Sequence, residues 1–298
     1  MNDDSSEETT LKSRIRGSLL GGALGDALGA PVEFLDERLI RTKYGPRGIQ
    51  QLDKAYGRIG AITDDTQMTL FTAEGVLRGL VRSRVRGIAS LEQCVFYAYR
   101  RWLYTQGTIK KEFHCEGWLL SHQQLHSQRA PGMTCLSMAQ TAQLDPEFVA
   151  PNNSKGCGGV MRVAPIGLWN ATRTKQTPDA RADAYRDAKR VAAMTHGHPT
   201  GAVAAGCFAA IIYVLALGSS LPDAAESAIA VTREDTDHEE TVNAVREAIR
   251  LAEKPRSRAN LFLLGEGWVA EEALAMSIYC ALTAESFVDA LCLSLIHI

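Results

Sequence analysis

GAITDDTQMTL, residues 60–70, runs directly into FTAEGVLRGLV, residues 71–81. Beyond Gln67 the apolar residues Leu70, Phe71, Leu77, Leu80 and Val81 recur at helical spacing. Ahead of them stand two adjacent carboxylates, Asp64 and Asp65. Neighbouring like charges repel and each prefers water. A chain that draws both toward a core must therefore supply a cation, a hydrogen-bond network or an exposed helix end. Two readings fit. Asp64 followed three residues later by Gln67 matches a capping box, in which the carboxylate accepts an early helix N–H and Gln67 reaches back. Alternatively, the Thr63 hydroxyl and the Asp64 and Asp65 carboxylates are hard oxygen donors suited to magnesium or manganese. One helix start can serve both roles, and a metal reading requires further acids elsewhere.

The same helical pattern returns over Leu91–Trp102 and Ala180–Met194, with few alternating strands to compete. Turn-forming clusters at KYGPRG (43–48), LDPEFVAPNNSKGCGG (144–159) and HGHPTG (196–201) punctuate these helices. With no tandem repeat and no low-complexity linker, the pattern predicts an all-α fold in a single compact multi-helix domain. At 298 residues and 46% hydrophobic content the chain is long enough for a large core. Its net charge of -2 offers no general attraction to nucleic acid or to an anionic membrane. Seven cysteines, none in a CxxC pair, suggest neither a zinc site nor a disulfide framework, and so a reducing cytoplasm. The acidic start MNDDSSEETTLKSR is the reverse of a secretory signal, and residues 1–12 are expected to be a disordered leader. Two apolar stretches, 17–32 and 201–218, imitate membrane spans but read as buried core helices.

Within the first of these, Gly17, Gly21, Gly25 and Gly29 recur every fourth residue. Each costs about 1 kcal/mol relative to alanine in a helix interior, so packing must return that stability. A tight helix crossing is one reading of the stripe, and approach of a ligand to bare backbone is the other. Asp26 and Glu33 lie in or just beyond this helix, and a carboxylate beside a small-residue helix needs a partner.

Gly156, Gly158 and Gly159 in NNSKGCGGVMRVAPIGL (152–168) free a run of backbone N–H groups that can form a concave anion site, or simply a tight turn. The segment is neither a P-loop nor a GxGxxG loop. Cys157 has no general-base signature beside it, which argues against a thiol nucleophile. In MTHGHPTGAVAAG (194–206), His196 and His198 can converge in a turn that Pro199 favours, yet no cysteine or HExxH context makes them a zinc pair. They serve turn packing or ligand contact.

Taken together and in order, GSLLGGALGDALGAPVEF, GAITDDTQMTL, KGCGGVMRVAPIGL and THGHPTGAVAAG resemble the successive motifs of the ADP-ribosylglycohydrolase family, which includes the dinitrogenase reductase-activating glycohydrolases. The resemblance spans residues 13–294 and implies an all-α fold with a two-metal site, usually magnesium, or manganese in its place. It implies cleavage of the glycosidic bond between ADP-ribose and a modified protein residue or small molecule. By the same resemblance Thr63, Asp64 and Asp65 are metal ligands, and Glu33 is the acid that contacts metal or acts as general acid or base. Gly156, Cys157, Gly158, Gly159, Met161 and Arg162 border the phosphates and ribose, and His196 lines the same cleft. The expected partner is an ADP-ribosylated protein or small molecule bound by a monomer.

The chain departs from the family pattern at one point. An Asp-x-Asp group followed by Ser or Thr is expected shortly beyond a segment like ALTAESFVDALCLS (281–294), but the sequence runs instead into LCLSLIHI. DTDHEE (235–240) is out of order as a substitute. The uncapped, apolar ending leads to the expectation of a truncated domain, with 295–298 a non-native tail. It also raises the alternative of a non-catalytic ADP-ribose-binding protein that lacks the second ligand group.

Overall fold

The computed structural model describes residues 3–110, 116–141, 148–173 and 179–295. Residues 1–2, 144–147 and 296–298, which belong to segments singled out above, lie outside the described residues. Thirteen α-helices make up the described chain: α1 (Asp3–Gly29), α2 (Glu37–Tyr44), α3 (Asp64–Arg86), α4 (Leu91–Thr105), α5 (Met133–Thr141), α6 (Ala164–Ala171), α7 (Ala180–Ala193), α8 (Pro199–Ala216), α9 (Leu221–Thr232), α10 (Glu239–Ala252), α11 (Arg258–Phe262), α12 (Ala270–Thr283) and α13 (Phe287–Leu295). A two-residue hairpin, Lys54–Ala55 with Arg58–Ile59, is the only sheet among the described residues. The all-α expectation holds.

α8 is the hub. Its composition, PTGAVAAGCFAAIIYVLA, puts alanine or glycine at eight of its eighteen positions, so neighbouring helices approach on several sides. α6, α7 and α9 pack against it, and α10 and α12 close the same core. Among the described residues α8 alone has the length and hydropathy to cross a membrane, and 72% of it is buried inside the protein. That placement agrees with the core-helix expectation for 201–218.

The expectation for 17–32 is only half right. Leu20 and Leu24 are exposed, and full burial begins only at Ala27. α1 lies on the surface because only certain faces have partners. Leu11, Ile15 and Leu19 pack on the cluster that joins α6, α7 and α8, while the glycine face receives α13. Phe287, Leu291 and Leu295, spaced four apart, stand against Gly21, Gly25 and Gly29; a methyl at Gly29 would come within 3.0 Å of the Leu295 side chain. The stripe is thus a helix contact. α1 is also helical from Asp3, where the sequence predicts a disordered leader. No glycine or proline interrupts residues 3–16.

Candidate active site

The start of α3 is built by a partner far away in sequence. Asp26, on α1, accepts hydrogen bonds from the Thr63 N–H (2.9 Å to Oδ2) and the Thr63 hydroxyl (2.7 Å to Oδ1). It also accepts from the Thr66 N–H (3.2 Å) and hydroxyl (2.5 Å). With both oxygens committed, Asp26 orients rather than ligates. The N-cap is Thr63, whose Oγ1 accepts the Asp65 N–H at 3.4 Å. This corrects the capping-box reading. Gln67 does not reach back, because its amide donates to the Ser127 carbonyl while its Oε1 accepts from the Trp102 indole and the Gln106 amide. A buried indole N–H and amide need an acceptor, and that tertiary demand outweighs the local motif.

Asp64 is buried and its Oδ2 accepts the Gly132 N–H at 3.1 Å. Its own N–H donates to the Arg129 carbonyl, and the Arg129 guanidinium donates to the carbonyls of Ile62 and Gln124. The loop before α5 is thereby bolted to the helix start. Burial pushes the Asp64 carboxyl up to about 6; the Gly132 N–H opposes the rise and the Asp26 charge adds to it. Asp65 keeps contact with solvent, yet the protein around it, then the charges of Asp64, Asp26 and Glu33, hold its carboxyl well above the usual range. Glu33, in the turn after α1, is half-buried and raised to about 7 by burial first and by Asp64 and Asp26 second. Its Oε2 is buried without a hydrogen-bond partner among the described residues. The four acids therefore share one cleft.

Tyr56 belongs to the same cleft, and its sequence context gave no hint of it. It occupies the two-residue loop of the hairpin with Gly57, at φ 48° and 81°, the left-handed pair that type I′ turns require and that Asn-Gly fills best. Burial, then the charges of Glu33, Asp64 and Asp26, raise the phenol above its ordinary value, which places it within electrostatic reach of the acids. Replacing Tyr56 by Asn should stabilise the fold by about 1 kcal/mol, the scale of the strain a bulky residue carries in this conformation. Denaturant titration reads the difference, and a loss of stability would show that the ring's contacts outweigh the strain.

The glycine segment forms a 3-10 helix, Cys157–Arg162, and meets α3 where the Thr69 hydroxyl donates to the Met161 carbonyl at 3.1 Å. The Cys157 N–H is taken by the Trp268 carbonyl at 3.1 Å, and Gly156 pairs with Val269. The glycines also answer to their neighbours. A methyl at Gly158 would lie 2.9 Å from both Cys135 Sγ and His196 Cε1, and one at Gly159 would lie 3.0 Å from Ala192 Cβ. Burial pushes the Cys157 thiol up to about 12, with Asp65 adding, so it stays protonated, in keeping with the reading against a nucleophile. Arg162 is wholly enclosed. Its guanidinium donates to Thr195 Oγ1 (2.7 Å), the Val191 carbonyl (3.3 Å) and Cys135 Sγ (3.3 Å), and lies 4.6 Å over the Tyr99 ring.

His196 and His198 part company. His198 caps α8, its Nδ1 accepting the Thr200 N–H at 3.2 Å. His196 is buried against the glycine segment, and burial, then the Arg162 charge, lowers it to about 3, so its ring is neutral. Asn152 ties the two segments together: its Oδ1 accepts the Ser154 and Gly197 N–H groups and its amide donates to the Thr195 carbonyl. The structure thus brings Glu33, Thr63, Asp64, Asp65, the glycine segment and His196 around one cleft, while Met161 joins it through its backbone and Arg162 is turned inward. Sequence reasoning had noted Asp26 without a role and had missed Tyr56, Gly132, Cys135 and Thr195.

The Thr63 hydroxyl and the carboxylates of Glu33, Asp64 and Asp65 are all hard oxygen donors, and a buried carboxylate oxygen without a partner among mutually repelling acids suits a divalent cation. Among the described residues no group of three or more His, Cys, Asp or Glu is arranged to enclose a metal by itself.

An acidic helix start, a glycine segment and a neutral buried histidine thus lie together in one all-α domain. The chain belongs to the ADP-ribosylglycohydrolase family, whose model matches residues 7–297. No curated protein matches the sequence. Among solved structures it is similar to one titled "ADP-ribosylglycohydrolase-related protein complex", at 21% identity and a TM-score of 0.61, over 97% of this chain and 82% of that one. At that identity the likeness carries the fold alone.

Proposed function

We propose that this chain hydrolyses the glycosidic bond joining ADP-ribose to a modified protein residue or small molecule. The observation that carries the reading is the Glu33 carboxyl, half-buried, with an unpartnered Oε2, beside Asp64 and Asp65. A carboxyl raised to about 7 matches the working pH of a general base. Thr63, Asp64 and Asp65, with Glu33 facing them, would hold magnesium or manganese, which supplies Lewis acidity to bound ribose hydroxyls and to water. Glu33 takes the proton of the water that attacks the anomeric carbon. The negative potential of the acids favours the positive oxocarbenium character that develops as the bond lengthens. Asp26 keeps the Thr63 hydroxyl in one orientation, and the Tyr56 phenol offers a donor at the rim. Gly156, Cys157, Gly158, Gly159 and Met161 form the wall for the ADP portion, with His196 behind it. Arg162 acts from the interior through Thr195. The six cysteines within the described residues are free, which supports placing the chain in a reducing cytoplasm.

A second reading, a non-catalytic ADP-ribose-binding protein, draws support from the lack, among the described residues, of three or more His, Cys, Asp or Glu arranged around a metal. One assay separates the two. Release of ADP-ribose from an ADP-ribosylated protein should occur with magnesium or manganese and stop in excess chelator. Undiminished release in chelator would remove the metal from the reading. Binding of ADP-ribose with no release at any cation concentration would leave the second reading in its place.

A further inference from the structure

Arg162 is a cation in the core without a carboxylate in ion-pair contact among the described residues, and its Nε has no hydrogen-bond partner there. A buried charge held this way is costly unless its hydrogen bonds do something that a neutral residue could not. Its shortest one, at 2.7 Å, goes to the Thr195 hydroxyl, and that hydroxyl is 2.8 Å from Nδ1 of His196. A hydroxyl carries one proton. Thr195 can give it to His196 Nδ1 or to the Ala192 carbonyl at 3.3 Å. The Ala192 carbonyl already accepts the N–H groups of Thr195 and His196, both at 3.1 Å, so its two lone pairs are taken. A hydroxyl oxygen that accepts from a guanidinium is a stronger donor and a weaker acceptor. Distance, lone-pair count and polarisation all send the proton to Nδ1. A neutral imidazole with Nδ1 accepting carries its hydrogen on Nε2. That edge of the ring faces bare backbone: a methyl added at Gly156 would lie 3.6 Å from Nε2, and one at Gly158 3.1 Å from it.

We propose that Arg162 and Thr195 fix His196 as the Nε2–H tautomer, so that the ring presents a hydrogen-bond donor over Gly156 and Gly158, and that Thr195 is thereby a positioning residue for an oxygen-rich, anionic ligand at that loop. The identity of that ligand as the ADP portion of the substrate rests on the function proposed above; the tautomer does not. The Arg162 charge contributes twice, by polarising the hydroxyl and by opposing protonation of the ring.

The test is a long-range proton–nitrogen NMR correlation on the full chain labelled with 15N-histidine, free of metal and ligand, with the His196 signals assigned by their loss in His196→Gln. His196 should show a protonated Nε2 and an unprotonated Nδ1 throughout pH 5–8. Thr195→Val removes the hydroxyl at nearly constant shape and should release the ring into mixed tautomers, whereas Thr195→Ser should restore the single form. Calorimetry with ADP-ribose should show affinity falling about tenfold in Thr195→Val and within about twofold of native in Thr195→Ser. A native ring protonated on Nδ1 overturns the proposal, and needs no variant to fold. So does a Thr195→Val protein that keeps Nε2–H, or one that keeps full ADP-ribose affinity. Native protein with the Nε2–H tautomer and no affinity for ADP-ribose refutes the ligand and leaves the tautomer standing.

Discussion

Asp64→Asn should lower ADP-ribose release by roughly 10³-fold, the scale on which loss of a preorganised charged group acts, while making the metal-free protein more stable at pH 8. The two effects have one cause. Burial raises the Asp64 carboxyl from 3.8 to about 6, so between those values the unfolded chain loses its proton before the folded one does. Stability therefore falls as pH rises from about 4, and the cost is complete above about 6, where it amounts to at most about 3 kcal/mol. Asparagine removes the ionisation and still accepts the Gly132 N–H. Its advantage over native protein should thus be present at pH 8, vanish near pH 4, and reverse when magnesium is added, because the cation stabilises only the native carboxylate. Thermal melts at the two pH values with and without magnesium read all of this. Equal melting temperatures for native and variant protein at pH 8 would mean that Asp64 is not strained in the absence of metal. Full turnover by the variant would remove it from the chemistry.

Gly197→Ala should unfold or severely destabilise the chain, by about 3 kcal/mol or more. An added methyl would lie 2.0 Å from the Ala150 carbonyl oxygen and 2.2 Å from that of Asn152. These are main-chain atoms, and they cannot swing aside as a side chain does. The Asn152 bridge to Gly197 and Thr195 would open, and with it the support of His196. Urea unfolding against Gly57→Ala, at an open turn position, separates this clash from the general cost of replacing glycine. A loss no greater than that of the turn control would show that residues 150–152 yield easily.

Local periodicity made the helices legible. Leu91–Trp102 and Ala180–Met194 fall within one to three residues of α4 and α7, because apolar spacing and helix period are one signal. The family was legible too, through the four motifs in their order. What stayed hidden depends on partners remote in sequence. Gln67 carried the spacing of a capping box but answers to Trp102 and Gln106, 35 and 39 residues away. Leu20 and Leu24 carried the composition of a core helix, but burial depends on whether a neighbour covers each face. Thr195 drew no notice beside His196, and only the inward turn of Arg162 gives it a role. Tyr56 had no signal at all, since an aromatic residue ahead of glycine says little about which cleft it will border.

Asp26 joins the first helix to residues 63–66, and on the neighbouring face of that helix Gly21, Gly25 and Gly29 take up Phe287, Leu291 and Leu295. The first helix is therefore held on adjacent faces, by the start of α3 through Asp26 and by α13 along its glycines. During synthesis the acids of the cleft exist long before they are aimed, and a nascent chain exposes Asp64 and Asp65 as ordinary surface carboxylates with near-ordinary proton affinity. Asp64 takes up its raised proton affinity only when segments distant in sequence meet, so Asp26 ties the electrostatics of the α3 start to the seating of α1.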